Sequence, residues 1–207
     1  MKKYTTFIIF VFLSIFLVTA CSFPFGEKKP EPFEEGTLIA SNYFNFQAKI
    51  KFTVPVGWNS ELGEDAQESA KDSVEQADFD TDKMVFSGMD FKCGNPNTGS
   101  NLSISYAPLP KSYDFDEAVD DTIEFVIVSA KEMDLTFEAT DSFTETIAGR
   151  ECRVEVLETT FQGVQIREYA CFCEIDSYIT MIIIVPNDFF DATETFDNII
   201  ANFSAIE

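Results

Sequence analysis

The segment Tyr178–Val185 constrains the fold more than any other part of this chain, because it is apolar on both of its faces. Residues 181–185 read Met-Ile-Ile-Ile-Val, an unbroken apolar run. Successive side chains of a strand point to opposite faces, so a strand of this composition needs cover on both sides. We therefore predict a central strand, in a sheet with helices on both faces.

Further strands are predicted by alternating polarity and by turn residues. Ile50, Phe52 and Val54 alternate with polar residues, which is typical of a half-buried strand. The Pro-Val-Gly-Trp segment at 55–58 ends this strand, because proline cannot donate to a ladder and glycine permits a turn. The other predicted strands are residues 37–46, 83–92, 101–107, 143–147, 150–161 and 164–175.

Three segments carry apolar residues at helical spacing. A helix over 61–79 has only a narrow stripe of small residues, with Asn59 and Ser60 as possible caps. The second helix is the clearest, and Asp114 and Glu117 are spaced as its capping box. Its stripe is Phe115, Ala118, Val119, Thr122, Ile123, Val126, Ile127 and Ala130. A final helix capped by Asn187 would carry Phe189, Ala192, Thr193, Phe196, Ile199, Ile200 and Phe203.

The N-terminus predicts an exported lipoprotein. Two lysines precede an apolar stretch over residues 7–18, and small residues then precede a cysteine, which is the order of a secretory signal. Val18-Thr19-Ala20-Cys21 resembles the lipobox of bacterial lipoproteins, in which the cysteine thiol receives a diacylglyceryl group. We expect a signal peptide at 1–20 and a lipidated Cys21, and two acyl chains are enough for stable anchoring. A signal that merely ends at cysteine, or an uncleaved membrane helix, is the alternative.

The mature chain is predicted to have a tether and one globular domain. Residues 21–36 are interrupted by prolines, glycines and charges and show no periodicity, so we expect a flexible tether with a reach of about 50 Å. Residues 37–207 have the length of a single domain that can bury an adequate core.

The order of the predicted elements indicates an α+β fold with a mainly antiparallel sheet of about six strands and helices on both faces. Asn42-Tyr43-Phe44, followed by Ile50-x-Phe52-x-Val54-Pro55-x-Gly57-Trp58, a mid-chain helix, the Gly149 hairpin and a closing Phe-rich helix, resembles the PsbP-like α/β/α sandwich of small exported lipoproteins. The resemblance covers residues 37–207. It implies an accessory or binding protein rather than an enzyme, and it transfers no functional residue to this chain.

The segments 150–161 and 164–175 also predict a cysteine pairing. If Gln162 and Gly163 form the loop of a hairpin, Cys152 lies opposite Cys173 at a non-hydrogen-bonded position, where side chains approach most closely. Export permits disulfides, so Cys152–Cys173 is our candidate bond, with Cys93 and Cys171 free or paired. Buried free thiols, or a redox or metal-binding trio of Cys152, Cys171 and Cys173, are the alternatives.

Charge and composition exclude several functions. The formal net charge is -22, and the predicted leader contributes only two lysines, so the acidic mature chain would be repelled by nucleic acid and by anionic lipid. The sequence contains no histidine, which removes Ser-His-Asp and Cys-His nucleophiles and most zinc sites. We therefore expect no catalytic residues, no metal and no cofactor.

Three remaining features could carry chemistry. Asp78, Asp80 and Asp82 alternate like the start of a calcium loop, but the required glycine and glutamate are absent, so a solvated helix end is favoured. Trp58 could stack on a ligand, although a core position is favoured. An acidic set on the second helix could bind a cation or act as acid and base, although a solvated face is favoured. It consists of Asp116, Glu117, Asp120, Asp121 and Glu124.

These observations predict a membrane-anchored extracytoplasmic domain without catalytic activity, on the outer face of a bacterial cell membrane. Its anchor would be the lipid on Cys21, and its partner an envelope protein or a small ligand. The alternatives are a hydrolase that relies on carboxylates alone and a divalent-cation-binding envelope protein.

Overall fold

The structure is a computed structural model, and it describes residues 33–76, 88–109, 113–131, 135–161 and 163–206. The predicted signal peptide, Cys21 and the acidic segment at 78–82 lie outside these residues. None of the helices in the described ranges is both long and apolar enough to cross a membrane.

The described residues form eleven strands and three helices. The strands are β1 (Thr37–Ile39), β2 (Asn42–Asn45), β3 (Ile50–Thr53), β4 (Asn59–Leu62), β5 (Met89–Gly94), β6 (Asn101–Pro108), β7 (Phe137–Ile147), β8 (Arg150–Phe161), β9 (Val164–Ile175), β10 (Tyr178–Val185) and β11 (Phe203–Ala205). The helices are α1 (Gly63–Gln76), α2 (Phe115–Lys131) and α3 (Ala192–Ile200).

Seven strands make the main sheet, in the order β4-β5-β6-β10-β9-β8-β7, and every neighbouring pair is antiparallel. The predicted central strand is confirmed, because β10 lies between β6 and β9 and all eight of its residues are buried. The α+β class and the mainly antiparallel sheet are confirmed as well. Asn59 and Ser60 lie in edge strand β4, because their backbones pair with β5 rather than capping a helix.

The main sheet separates two apolar clusters. Along β10, Ile182 and Ile184 belong to the first cluster, whereas Met181 and Ile183 belong to the second. The second cluster is covered by α2, which buries the predicted stripe residues Ala118, Val119, Thr122, Ile123, Val126 and Ala130. The first cluster is covered by α3 together with a second sheet, so helices lie on both faces as predicted.

The second sheet is a finding that the sequence patterns did not predict. It has the order β1-β2-β3-β11, and all of its neighbouring strands are antiparallel. The strand β11 pairs with β3, although almost the whole domain separates the two strands in sequence. Tyr43 and Phe52 of this sheet bury their rings against Phe91 of the main sheet, with centroid distances of 4.6 and 6.0 Å. It therefore covers the β5 side of the first cluster.

The last helix is shorter at both ends than predicted. Asn187 does not cap it, because the backbone N–H of Asn187 donates to Ser100 Oγ and the next turn is held by Asp188, whose carboxylate accepts from the N–H of Phe190. Both bonds hold this backbone outside a helix, and α3 begins at Ala192 behind Asp191. Phe203, predicted on the helix, lies in β11 and pairs with Phe52.

The β8–β9 hairpin has the predicted register. Phe161 faces Val164, and the pairing continues without a shift to Arg153 and Phe172. The next pair is Cys152 and Cys173, whose Cα atoms are 4.5 Å apart, the spacing of a non-hydrogen-bonded antiparallel pair. The structure contains a disulfide between these two cysteines.

Residues 33–36, which we name the N-terminal strap, pack against the domain. The ring of Phe33 stacks on Tyr106 with centroids 3.9 Å apart. The N–H of Gly36 donates to both carboxylate oxygens of buried Asp90, at 2.9 and 3.0 Å. Residues 33–36 were predicted as the end of a flexible tether over 21–36, but a buried carboxylate and an aromatic stack hold them on the domain.

Candidate functional site

A groove of about 410 Å³ lies between α3 and the strands β7, β8 and β9, on the side of the first cluster. A volume of several hundred Å³ is typical of sites that bind small molecules or a few side chains. The lining residues come from all four elements: Thr140, Asp141, Phe143, Glu145, Val156, Glu158, Arg167, Tyr169, Thr193, Phe196 and Asp197.

A β-bulge at Thr140 determines which side chains of β7 line the groove. Ala139 pairs with Leu157 and Asp141 with Val156, so Thr140 is an extra residue in β7. A bulge changes which face the following side chains occupy. The residues paired with Asp141, Phe143 and Glu145 all belong to the first cluster, so this acid, aromatic, acid series faces the groove.

Aromatic rings form the floor. Tyr169 and Phe196 stack with centroids 4.3 Å apart, and Phe143 meets Phe196 edge-on at 6.1 Å. The hydroxyls of Tyr169 and Thr193 are 3.2 Å apart, which ties α3 to β9 beside the opening. The floor is therefore apolar and is fixed by contacts between α3 and the sheet. Tyr169 and Phe196 are almost fully buried, and the ring of Phe143 is half-buried.

The rim is acidic, and Arg167, the one basic side chain among the described residues that line it, is already paired. Arg167 Nη2 lies 2.6 Å from Glu158 Oε1, and its guanidinium lies 4.6 Å from the ring centroid of Phe189. The carboxylates of Asp141 and Glu145 accept hydrogen bonds from the N–H of the next residue, at 2.9 and 2.8 Å. Within the described ranges, Asp141, Glu145 and Asp197 form no ion pair.

The buried carboxyl group between two lining residues of β9 does not enter the groove. Glu168 follows Arg167, but consecutive strand residues point to opposite faces, and its cross-strand partner Leu157 lies in the second cluster. Burial raises the pKa of Glu168 to about 8. Its Oε2 has no hydrogen-bond partner among the residues that the structure describes.

The acidic set predicted on the second helix lies on the solvent side of α2, away from the groove. Arg153 pairs with Asp116 and Asp120, at 3.4 and 2.5 Å, and the hydroxyl of Tyr113 donates to Asp121. Glu117 and Glu124 are exposed. In the part of the chain that the structure describes, no group of three or more Cys, Asp and Glu side chains is arranged to hold a metal ion.

The remaining thiols and Trp58 lie in or against the core. Cys93 and Cys171 are free and buried in the first cluster, and burial raises the pKa of both thiols. A buried thiol with a raised pKa holds little of the reactive thiolate. Trp58 is half-buried and packs against the same cluster without being part of the buried core.

The sequence patterns did not single out the groove. Tyr169, Thr193 and Phe196 were expected only as residues of a strand or helix face, and the acidic lining residues were not selected at all. The available signal was the alternation Asp141-x-Phe143-x-Glu145, which places two acids and an aromatic ring on one face of a strand. The convergence of β7 with α3 is not visible in the local sequence.

No protein-family model matches this chain, and no curated protein matches it. Among solved structures, it is similar to cyanobacterial PsbP (CyanoP) from Synechocystis sp. PCC 6803, with a TM-score of 0.55 and 12% identity over 88% of this chain and 99% of that chain. This similarity confirms the PsbP-like fold.

Two further structures are similar at lower scores. LpqN, involved in cell envelope biogenesis of Mycobacterium tuberculosis, has a TM-score of 0.45 and 10% identity over 76% of this chain and 83% of its own. The Ran-binding protein Mog1p of Saccharomyces cerevisiae has a TM-score of 0.43 and 11% identity over 78% and 93% of the two chains.

Proposed function

We propose that this protein is a lipid-anchored binding domain without catalytic activity, held on the outer face of a bacterial cell membrane, and that the groove beside α3 is its binding site. The observation that carries the proposal is the groove itself, which combines a fixed aromatic floor with a rim of carboxylates. Such a surface offers apolar contact and a few placed polar groups, as binding sites do.

The sequence before the domain supports the anchor. Val18-Thr19-Ala20-Cys21 follows an apolar stretch and a basic start, and the residues after Cys21 are rich in proline and charge. A diacylated Cys21 would keep a PsbP-like domain at the membrane surface, with the N-terminal strap at the start of the domain. The partner or ligand would then be a component of the cell envelope.

The chemistry of the chain supports binding over catalysis. The sequence has no histidine, so the usual activation of a serine or cysteine nucleophile is not available. A hydrolase that used carboxylates alone would need a carboxyl with a raised pKa in its cleft. Glu168 has a raised pKa, but it is buried on the opposite side of the sheet from the groove.

Site-specific photo-crosslinking in intact cells tests the binding site. A photoreactive amino acid at Thr193, in the groove, is compared with the same amino acid at Glu124, on the solvent side of α2. We expect a discrete crosslinked product from position 193 and none of the same mass from position 124. Products that are identical at both positions, or absent at both, would contradict the proposed site.

Mass spectrometry of the purified protein tests the anchor. We expect an N-terminal Cys21 that carries a diacylglyceryl group, and a Cys21→Ser variant that keeps the leader and lacks the lipid. An unmodified N-terminus at any other residue would refute the lipoprotein assignment and leave the crosslinking result independent of it.

A further inference from the structure

We propose that the occupant of the groove is a basic segment of a partner protein, with lysine or arginine side chains that enter between the acidic rim and the aromatic floor. The inference rests on the proposed function, because it names the chemistry of the partner that the same groove would bind. It is carried by the charge and ring geometry of the lining residues.

Charge complementarity is the first argument. Asp141, Glu145 and Asp197 face the groove without an ion-pair partner in the described ranges, so a bound cation would meet uncompensated negative charge. The guanidinium of Arg167 would not repel it strongly, because Glu158 holds this group at 2.6 Å and the Phe189 ring covers it. Complementary charge of this kind directs encounter and selects partners.

The aromatic floor is the second argument. Lysine and arginine have apolar stems and cationic heads, and the heads are attracted to the faces of aromatic rings within about 6 Å. The half-buried ring of Phe143 would contact the stems, because Tyr169 and Phe196 are themselves almost fully buried, while carboxylates at the rim would bind the heads. A neutral apolar ligand would supply no positive charge to balance these carboxylates.

The size and position of the groove favour a peptide segment. A volume of about 410 Å³ holds a few side chains rather than a folded domain. The ring of Phe190 meets Phe189 edge-on at the Arg167 end of the groove and is 88% exposed, so the bound segment can extend over it. A second copy of this chain is a poor source of a basic segment, since the chain carries 14 basic and 36 acidic residues.

Calorimetry on the full chain in detergent, with three matched peptides, tests this inference. The peptides alternate phenylalanine with lysine, with glutamine or with glutamate, and have blocked ends. We expect the lysine peptide to bind, the glutamine peptide to bind at least tenfold more weakly, and the glutamate peptide not to bind. Raising the salt concentration from about 20 to about 500 mM should weaken the binding of the lysine peptide, because salt screens the attraction between exposed charges.

A matched pair of variants locates the binding. Glu145→Gln with Asp197→Asn removes two rim charges, and Glu117→Gln with Glu124→Gln removes two exposed charges from α2. We expect the first variant to raise the Kd for the lysine peptide about tenfold or more and the second to change it less than twofold. An equal loss in both, or no loss in the first, would show that the peptide responds to net charge or binds elsewhere.

The two proposals fail differently. If crosslinking from position 193 captures a partner but the lysine peptide binds no better than the glutamate peptide, the groove is a binding site for another chemistry and the basic segment is refuted. If neither peptide nor partner reaches the groove, the proposed binding site itself is refuted.

Discussion

At the level of single residues, consecutive side chains of β9 lie on opposite faces of the sheet and in different environments. Arg167 and Tyr169 point toward the groove, whereas Glu168, between them, is buried in the second cluster with its carboxyl oxygen unpartnered in the described part of the chain. An ionised carboxylate in that position would lose its hydration without compensation. Glu168 is therefore held in its protonated form at neutral pH, in agreement with its raised pKa of about 8.

Glu168 should make the stability of the protein depend on pH. In the unfolded chain a glutamate ionises at about pH 4.3, whereas the folded protein keeps the proton up to about pH 8. The stabilising contribution is complete below the lower pKa and is lost as pH rises toward the higher one. We expect Glu168→Gln to remove a slope of about 1.4 kcal/mol per pH unit in this window, measured by urea unfolding at a series of pH values.

The matched control is Glu174→Gln, which changes an exposed glutamate of the same strand. It should leave the slope of the wild-type protein in place, because its carboxyl group can hydrate in both states. A slope that survives in Glu168→Gln would mean that other groups carry the pH dependence.

At the scale of elements, the β8–β9 hairpin shows how far local sequence determines structure. A two-residue loop and alternating polarity were sufficient to predict its register, and the register brings Cys152 opposite Cys173. The start of α3 could not be predicted in the same way. Asp188 and Ser100 hold the preceding backbone, and Ser100 is distant in sequence, so its competition with the helix is a tertiary effect.

The disulfide between Cys152 and Cys173 should stabilise the hairpin by restricting the unfolded chain. It closes a segment with a sequence separation of 21 residues. The loop-entropy model gives about 3 kcal/mol for closures of this length. We expect the double variant Cys152→Ala, Cys173→Ala to lose roughly that free energy of unfolding in denaturant titrations.

Reduction provides a control that needs no substitution. Dithiothreitol should lower the unfolding midpoint of the wild-type protein and leave that of the double variant unchanged, because Cys93 and Cys171 are free in the structure. If the reductant shifted both midpoints equally, the effect would not come from this bond.

At the scale of the whole molecule, the buried carboxylate of Asp90 connects the N-terminal strap to both sheets. Asp90 accepts from the N–H of Gly36, from the hydroxyl of Tyr43 at 2.6 Å and from the side-chain amide of Asn45 at 3.2 Å. Gly36 is required by close approach, since a β-carbon there would collide with the ring of Tyr43. The strap is thus held by contacts that no local sequence pattern reveals.

Releasing the strap should expose the bonds after Glu34 and Glu35 to a glutamate-specific protease. We expect Asp90→Asn to speed cleavage there by roughly 30-fold, because an amide cannot replace all the acceptor bonds and one such loss costs about 2 kcal/mol. Gly36→Ala should have the same effect through steric collision. Cleavage is followed by mass spectrometry under native conditions.

Asp72→Asn, on the exposed side of α1, is the control and should cleave at the wild-type rate. Asp90→Asn and Gly36→Ala act by different mechanisms, so the test remains informative if one of these variants folds poorly. Unchanged cleavage in both Asp90→Asn and Gly36→Ala would show that the strap does not depend on this network.

Local sequence patterns were enough to predict the features that depend on neighbouring residues. The two-sided apolar run of β10, the stripe of α2, the register of the hairpin and the α+β class follow from periodicity and turn chemistry, which act over a few residues. The motif at residues 42–58 indicated a PsbP-like fold, and the structural similarity confirms that fold.

Features that depend on contacts between distant segments could not be predicted from local patterns. The second sheet pairs β3, which its alternating polarity predicted as a strand, with β11, whose three residues are too few to show a pattern. Most of the domain separates these two strands in sequence. The groove forms where a bulge in β7 turns acids and an aromatic ring toward α3. The second sheet and the groove have the same physical origin. Burial and charge environment depend on which surfaces pack together, and local periodicity does not specify that packing.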